Sequence, residues 1–189
     1  MKIVRYVVLA AGESTRMGFD KVVTRNGSEA PLESIARALG ERACITIVPP
    51  RLLETAISMM PYAVIVVNED PTRGMTHSLR VALGAVPPDQ PFGVLLGDMP
   101  AMTDSTIERT EALLTDDVDV AFPVDAENQP GHPVLFSARA RAVVESLRDG
   151  DTLRDARDRD SLKRATWTCE DASAFLDLDL PAQWDAFRA

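Results

Sequence analysis

Residues Val7–Val23 read VVLAAGESTRMGFDKVV. An apolar, β-branched run stops at Gly12, five polar or charged-rich positions separate it from Gly18, and Lys21 follows three residues later. The run has the composition of a strand, and it breaks abruptly into a glycine-bounded loop. Glycines let backbone N–H groups approach phosphate oxygens closely, and Arg16 and Lys21 supply cations to neutralise them. A plain strand-to-helix turn is the competing reading of the same residues. Two familiar phosphate loops are excluded by spacing: a Walker A loop places its lysine directly after the second glycine, and the dinucleotide fingerprint needs a glycine where Ser14 stands.

Working outward, short β-rich runs recur at Ile3–Leu9, Cys44–Val48, Ala63–Val67, Phe92–Leu96 and Val118–Phe122. Most are separated by segments of helical period. Leu32, Ile35, Ala36 and Leu39 mark one helical face; Met75, Leu79, Ala82, Leu83 and Val86 a second; Ala140, Val143, Val144 and Leu147 a third. This alternation predicts an α/β fold with a mostly parallel sheet covered by helices on both faces, in three layers. Ala126–Pro133 (AENQPGHP) followed by VLFS reads as a hairpin-like excursion, and Arg148–Arg159 as a solvated, charged helix. No repeat or linker divides the chain, so one domain over residues 1–189 is expected.

Composition narrows the function. Hydrophobic residues make up 46% and charged residues 26%, ordinary globular values. No run approaches the roughly 20 apolar residues of a membrane span, and the N-terminal run lacks a cleavage-like site, so a soluble, cytoplasmic protein is expected. The net charge of −9 argues against nucleic acid as a partner, since that binding draws on clustered Lys and Arg. Two distant cysteines, Cys44 and Cys169, fit neither a disulfide scaffold nor a zinc site and read as packing or surface thiols. An anionic ligand would therefore need a local basic site, which the opening stretch offers.

In open α/β sheets ligands sit beyond the carboxyl ends of the strands. The residues there are AAGESTRMGFDK after the first strand, NEDPTRGMTHS after the third and GDMPAM after the fourth. Glycines, cations and, in the third of these loops, an aspartate between a glycine and a Met-Pro pair suit a phosphate-bearing ligand with a metal.

LAAGESTRMGFDK resembles the L-A-[AG]-G-x-S-x-R-M-G-x-x-K signature of the nucleotidyltransferases of molybdenum cofactor synthesis, the molybdopterin cytidylyltransferase and guanylyltransferase group. RGMTHSLRVAL resembles that family's G-M-x-x-S-L segment, LLGDMPAMT its L-x-D-M-P segment, GHPVLFS its G-H-P-V-L-F segment, and DLDLPAQWDAF its closing D-I-D-T-P-E-D-L. Five motifs in the family's order span nearly the whole chain. The resemblance implies a Rossmann-like fold of the nucleotide-diphospho-sugar transferase kind. It also implies a Mg²⁺-dependent transfer of CMP from CTP to molybdopterin, with pyrophosphate released.

By the same resemblance, Leu9, Ala10, Ala11, Gly12 and the loop through Gly18 hold the nucleoside triphosphate, Arg16 and Lys21 grip its phosphates, and Asp98 binds Mg²⁺. Arg73, Gly74 and Ser78 fall on the nucleotide side, although Arg73 also fits an ordinary surface arginine. His77 is either a ligand contact or merely exposed. Asp179 takes the place of a second metal contact, with Asp177 and a simple helix cap before Pro181 as the alternatives. His132 either contacts the acceptor or shapes a strand entrance. The chemistry suits these types: hard Mg²⁺ prefers carboxylate and phosphate oxygens, and an ionised phosphate nucleophile needs no strong base.

Two departures qualify the likeness. VVTRNGSEAPLES replaces the family's proline-containing stretch and Gly-[RKQ]-P-L-L turn, and Gly150-Asp151-Thr152-Leu153-Arg154 replaces a G-D-x-G-A-R-like segment on the acceptor side. A sugar phosphate or other phosphorylated alcohol as acceptor, GTP as donor, and a non-catalytic, nucleotide-binding partner of a molybdoenzyme are the rival readings. Ala10-Ala11-Gly12 favours CTP, because guanylyltransferases of the group commonly carry Gly-Gly there, and an alanine methyl leaves less room beside the base.

Overall fold

The computed structural model describes residues 3–12, 18–99, 102–176, 178 and 183–184. The chain runs β1 (Arg5–Leu9), α1 (Pro31–Leu39), β2 (Cys44–Val48), α2 (Leu53–Met59), β3 (Val64–Val67), α3 (Met75–Leu83) and β4 (Phe92–Leu96). It continues through α4 (Asp104–Leu113), β5 (Val120–Val124), β6 (Val134–Phe136), α5 (Arg141–Glu145), α6 (Leu153–Arg157) and β7 (Arg164–Thr168). The strands form one sheet in the order β3-β2-β1-β4-β6-β5-β7. Only β6 runs against its neighbours, pairing antiparallel with both β4 and β5.

Period-two alternation along buried strands divides the interior into two cores. On β1, Tyr6, Val8 and Ala10 face α1, α2 and α4, packing with Leu32, Ile35 and Ile107. Val7, Leu9 and Ala11 face the opposite layer, where Leu79, Leu83 and Val144 come from α3 and α5. The expected three layers are thus present. No helix among the described residues is long and apolar enough to cross a membrane.

Local chemistry explains the element ends. Pro31 stands at the first turn of α1, the Glu33 carboxylate accepts the Ala30 N–H at 2.8 Å, and Gly40 ends the helix at φ 56°. Thr103 caps α4 by accepting the Thr106 N–H at 3.3 Å.

Two expectations from the sequence need correction, and one strand was not foreseen. Met75 is half exposed and does not join the α3 face. Arg148–Arg159 is not one solvated helix: Gly150 turns the chain at φ 97°, and only Leu153–Arg157 is helical, with Ala156 buried. The charges mask that buried position. The unforeseen strand is β7, which carries alternating exposed and half-buried residues, RATWT, and therefore lacks the apolar run that marks the inner strands. Trp167 nonetheless anchors it, donating to the Thr110 hydroxyl at 3.1 Å beneath the Arg109 guanidinium, 4.0 Å from the ring centroid.

Tyr6 ties the sheet to α4. Its hydroxyl donates to Glu111 at 2.8 Å, and Arg42 bridges the same carboxylate (3.2 Å) and Asp104 (2.7 Å). Burial, then the Glu111 charge, pushes the phenol's pKa far up, so it stays a neutral donor. The ring packs against Gly93 of β4, where an added Cβ would fall 2.8 Å from the Tyr6 ring and 2.5 Å from Leu135. Gly93→Ala should therefore destabilise the fold by about 1–3 kcal/mol through overpacking. A denaturation midpoint equal to wild type would show that the ring and Leu135 move aside freely.

Candidate active site

The chain leaves β1 toward β2 and β3, then returns to the other side of β1 as β4. The carboxyl ends of β1 and β4 therefore flank the topological switch point, where doubly wound sheets open a crevice. Leu9 pairs with Leu96, and the Gly97 N–H donates to the Leu9 carbonyl at 2.9 Å. The two strands remain in contact one residue further on: a Cβ on Gly97 would lie 2.9 Å from the Ala10 Cβ and 3.0 Å from the Leu9 carbonyl oxygen. Glycine at 97 is what lets the Ala10–Gly12 exit and the Asp98 turn share one mouth.

Into that mouth comes Lys21. Its turn is closed by the Asp20 carbonyl, which accepts the N–H groups of Val23 and Thr24, each at 3.1 Å. The Lys21 ammonium meets Asp98 Oδ2 at 2.7 Å, and the two side chains are 10% and 21% exposed. Two sequence-predicted residues 77 positions apart are thus in direct contact, a cation and a carboxylate at the strand ends.

The closing segment reaches the same place. The Leu178 N–H donates to the Asp98 carbonyl at 3.0 Å. Trp184 packs edge-on against Phe19 with centroids 5.2 Å apart, and the Asn26 amide donates to the Trp184 carbonyl. Arg16, Asp177 and Asp179 lie outside the described residues.

His132 approaches from the β6 side. Its backbone N–H donates to Ala174 at 2.8 Å, and Nδ1 lies 3.1 Å from the Val94 carbonyl. A carbonyl only accepts, so Nδ1 carries the proton and Nε2 is an acceptor in the neutral ring. Burial holds the ring's pKa below the usual range, opposed by the Val94 carbonyl and the Asp98 charge. Neighbouring Gly131 is pinned: a Cβ there would meet the Ala174 carbonyl at 2.5 Å.

The remaining predicted residues sit farther along the same sheet edge, beyond β3. Gly74 precedes α3 at φ 89°; Ser78 is buried, accepting from Asn68 at 2.9 Å and donating to the Gly74 carbonyl at 3.3 Å. Its hydroxyl is engaged in joining β3 to α3. Arg73 does not meet the Lys21–Asp98 pair; it binds Asp149 at 2.8 Å, and Arg80 binds the same carboxylate. Thr76 donates to the Asp151 carbonyl, so the RGMTHS and GDTLR segments clasp one another. Ala10 and Ala11 are 1% and 4% exposed, their methyls turned into the two cores. The Ala11 methyl offers almost no surface to a base, which removes the steric argument for CTP. Arg51, which the motifs did not single out, reaches Asp20 at 2.5 Å from the end of β2. Only tertiary proximity marks it.

Residues 6–165 match the family described as MobA-like NTP transferase domain. Among solved structures, Rv0371c from Mycobacterium tuberculosis H37Rv is 22% identical, with a TM-score of 0.82 over 98% of this chain and 97% of that one. A nucleotidyl transferase from Methanothermobacter, Mth528, is 18% identical at TM-score 0.80 over 100% and 97%. Molybdopterin-guanine dinucleotide biosynthesis protein A from Archaeoglobus fulgidus is 14% identical at 0.70 over 97% and 96%. At these identities the likeness concerns the fold. Comparison with curated proteins found no match.

Lys21 is the more buried member of its pair. Asp98→Ala removes a carboxylate in direct contact with that ammonium and should cost about 1–3 kcal/mol of folding free energy, whereas Lys21→Met, which keeps the apolar stem, should cost less. Urea midpoints in the reverse order would show that the aspartate carries the buried charge.

Proposed function

The chain belongs to the MobA-like NTP transferase domain family, and on that premise we propose that it transfers CMP from CTP to molybdopterin or a related phosphorylated small molecule, releasing pyrophosphate. The observation that carries this reading is the Lys21–Asp98 contact at the β1/β4 switch point. A phosphate grip and a metal carboxylate must lie within one triphosphate's reach, and a cation and a carboxylate 2.7 Å apart support that reading.

An acceptor phosphate oxygen attacks the α-phosphorus; the new O–P bond forms as the bond to the bridging oxygen breaks, and pyrophosphate carries away the electron pair. The protein's part is positioning and charge neutralisation. Backbone amides of Ala11, Gly12 and the Gly18 turn line the triphosphate, the Ala10 N–H being spent on the Ile47 carbonyl at 2.9 Å, and Lys21 exchanges Asp98 for phosphate oxygens. Arg16 takes a second phosphate contact. His132, with Nδ1 fixed by Val94, presents Nε2 toward the acceptor side.

Among the described residues no cluster of three or more His, Cys, Asp or Glu side chains is placed to hold a metal. A single hard carboxylate fits Mg²⁺, which commonly takes one or two protein oxygens and completes its shell with water and substrate phosphates. Asp98 would hold the ion, with Asp179 as second ligand; Rv0371c has a structure in complex with manganese. When bound, the ion would supply charge neutralisation at the transferred phosphoryl group. The preference for CTP rests on the Ala10-Ala11-Gly12 likeness alone.

Incubation with each NTP, Mg²⁺ and molybdopterin should release pyrophosphate fastest with CTP, and Asp98→Ala should slow it on the order of 10²–10³-fold. Faster turnover with GTP would reassign the base, and turnover only with a sugar phosphate would reassign the acceptor. Near-normal activity in both Asp98→Ala and Lys21→Ala would overturn the site.

A further inference from the structure

We propose that Arg51 is a positioning residue for the nucleotide site, holding the Lys21 turn in place through Asp20; this rests on the reading of Lys21 as a phosphate contact. Arg51 meets Asp20 as a fork, with Nη2 2.5 Å from Oδ1 and Nε 3.2 Å from Oδ2. Such two-point contact fixes direction as well as distance. The contact joins the loops that follow two adjacent parallel strands, β1 and β2.

Both ends of this brace are anchored. Arg51 lies in the turn Pro50–Leu52, preceded by Pro49, so two consecutive prolines restrict φ where the chain leaves β2. Leu52 donates to the Pro49 carbonyl at 3.0 Å and is buried in the core facing α1. On the other end, the Thr24 hydroxyl joins the two N–H groups already bound to the Asp20 carbonyl, at 2.9 Å. The Val22 carbonyl accepts the Leu32 N–H at 3.0 Å, tying the turn to α1. Lys21 sits between these two ties, with its ammonium directed inward at Asp98.

When nucleotide enters, Lys21 trades a fixed carboxylate for phosphate oxygens, and its reach depends on where the turn stands. Displacements of about 1 Å are costly in such sites. The Arg51–Asp20 side chains are 44% and 29% exposed, so the pair adds little to folding. Its effect belongs in ligand binding.

The test is a set of dissociation constants for non-hydrolysable CTP and GTP analogues with Mg²⁺, taking the tighter, alongside thermal melting. Arg51→Ala and Asp20→Asn should each weaken binding by about three- to tenfold, the double variant should be no worse than either, and melting should be unchanged. Arg51→Lys, which keeps the charge without the fork, should recover part of the loss. In a Lys21→Met background, Arg51→Ala should add nothing. Wild-type affinity in Arg51→Ala, an additive double variant, or an undiminished penalty in the Lys21→Met background would overturn the proposal, the last because the guanidinium would then touch nucleotide directly. If Lys21→Met itself binds like wild type, the phosphate reading of Lys21 fails first, and the brace loses its purpose.

Discussion

Everything at the candidate site depends on how closely β1 and β4 approach at their carboxyl ends. The strands stay in register from Arg5 opposite Phe92 to Leu9 opposite Leu96, and Gly97 extends the contact by bonding the Leu9 carbonyl. A methyl at 97 would press on Ala10 at 2.9 Å. Because glycine stands there, the loop after β1 and the turn after β4 open into one mouth, and Lys21 can reach Asp98. The buried sheet fixes the frame, and the loops add chemistry to it.

A similar logic runs through the sheet at Gly93. The absent side chain admits the Tyr6 ring, whose hydroxyl engages Glu111 and, through it, Arg42. Polar groups in this interior are joined across elements: Ser78 with Asn68, Trp167 with Thr110, and Asp171 with Thr103 and Thr106. Desolvated donors and acceptors are costly unless paired, so each bond also fixes one element against another. Asp171 is an instance at the α4 cap: although partial burial alone would raise its pKa, hydrogen bonds from Ser173, Thr103 and Thr106 bring it below the usual carboxylate range.

The inner strands were legible in the sequence because both of their faces are buried and their apolar runs are nearly unbroken. β1, β2 and β4 follow the expected segments closely. β7 was not legible, since an edge strand buries one face only and its inward residues, Ala165 and Trp167, alternate with polar ones. Helix α4 hid for a related reason: its buried face is Thr106, Ile107 and Thr110, and threonine does not register as apolar until its hydroxyl is seen paired. The clasp between the RGMTHS segment and Asp149–Asp151 was not legible either, because it joins residues far apart in the chain: the exposed Asp149 carboxylate binds Arg73 and Arg80, and the Asp151 main-chain carbonyl accepts from Thr76.

Composition and periodicity by themselves determined an α/β chain with a parallel sheet, and the motifs determined which loops carry cations and which carries the aspartate. Those properties are local: strand period, glycine and charge are written in consecutive residues. Strand order, the antiparallel insertion of β6 and the pairings Lys21–Asp98 and Asp20–Arg51 were decided only by the tertiary structure. They join residues far apart in the chain, and no local pattern specifies which strand end will lie beside which. The same holds for Ala11. Its place in the loop was plain from the sequence, but whether its methyl faces a ligand or the core depended on the pleat of β1 and the helix packed against it.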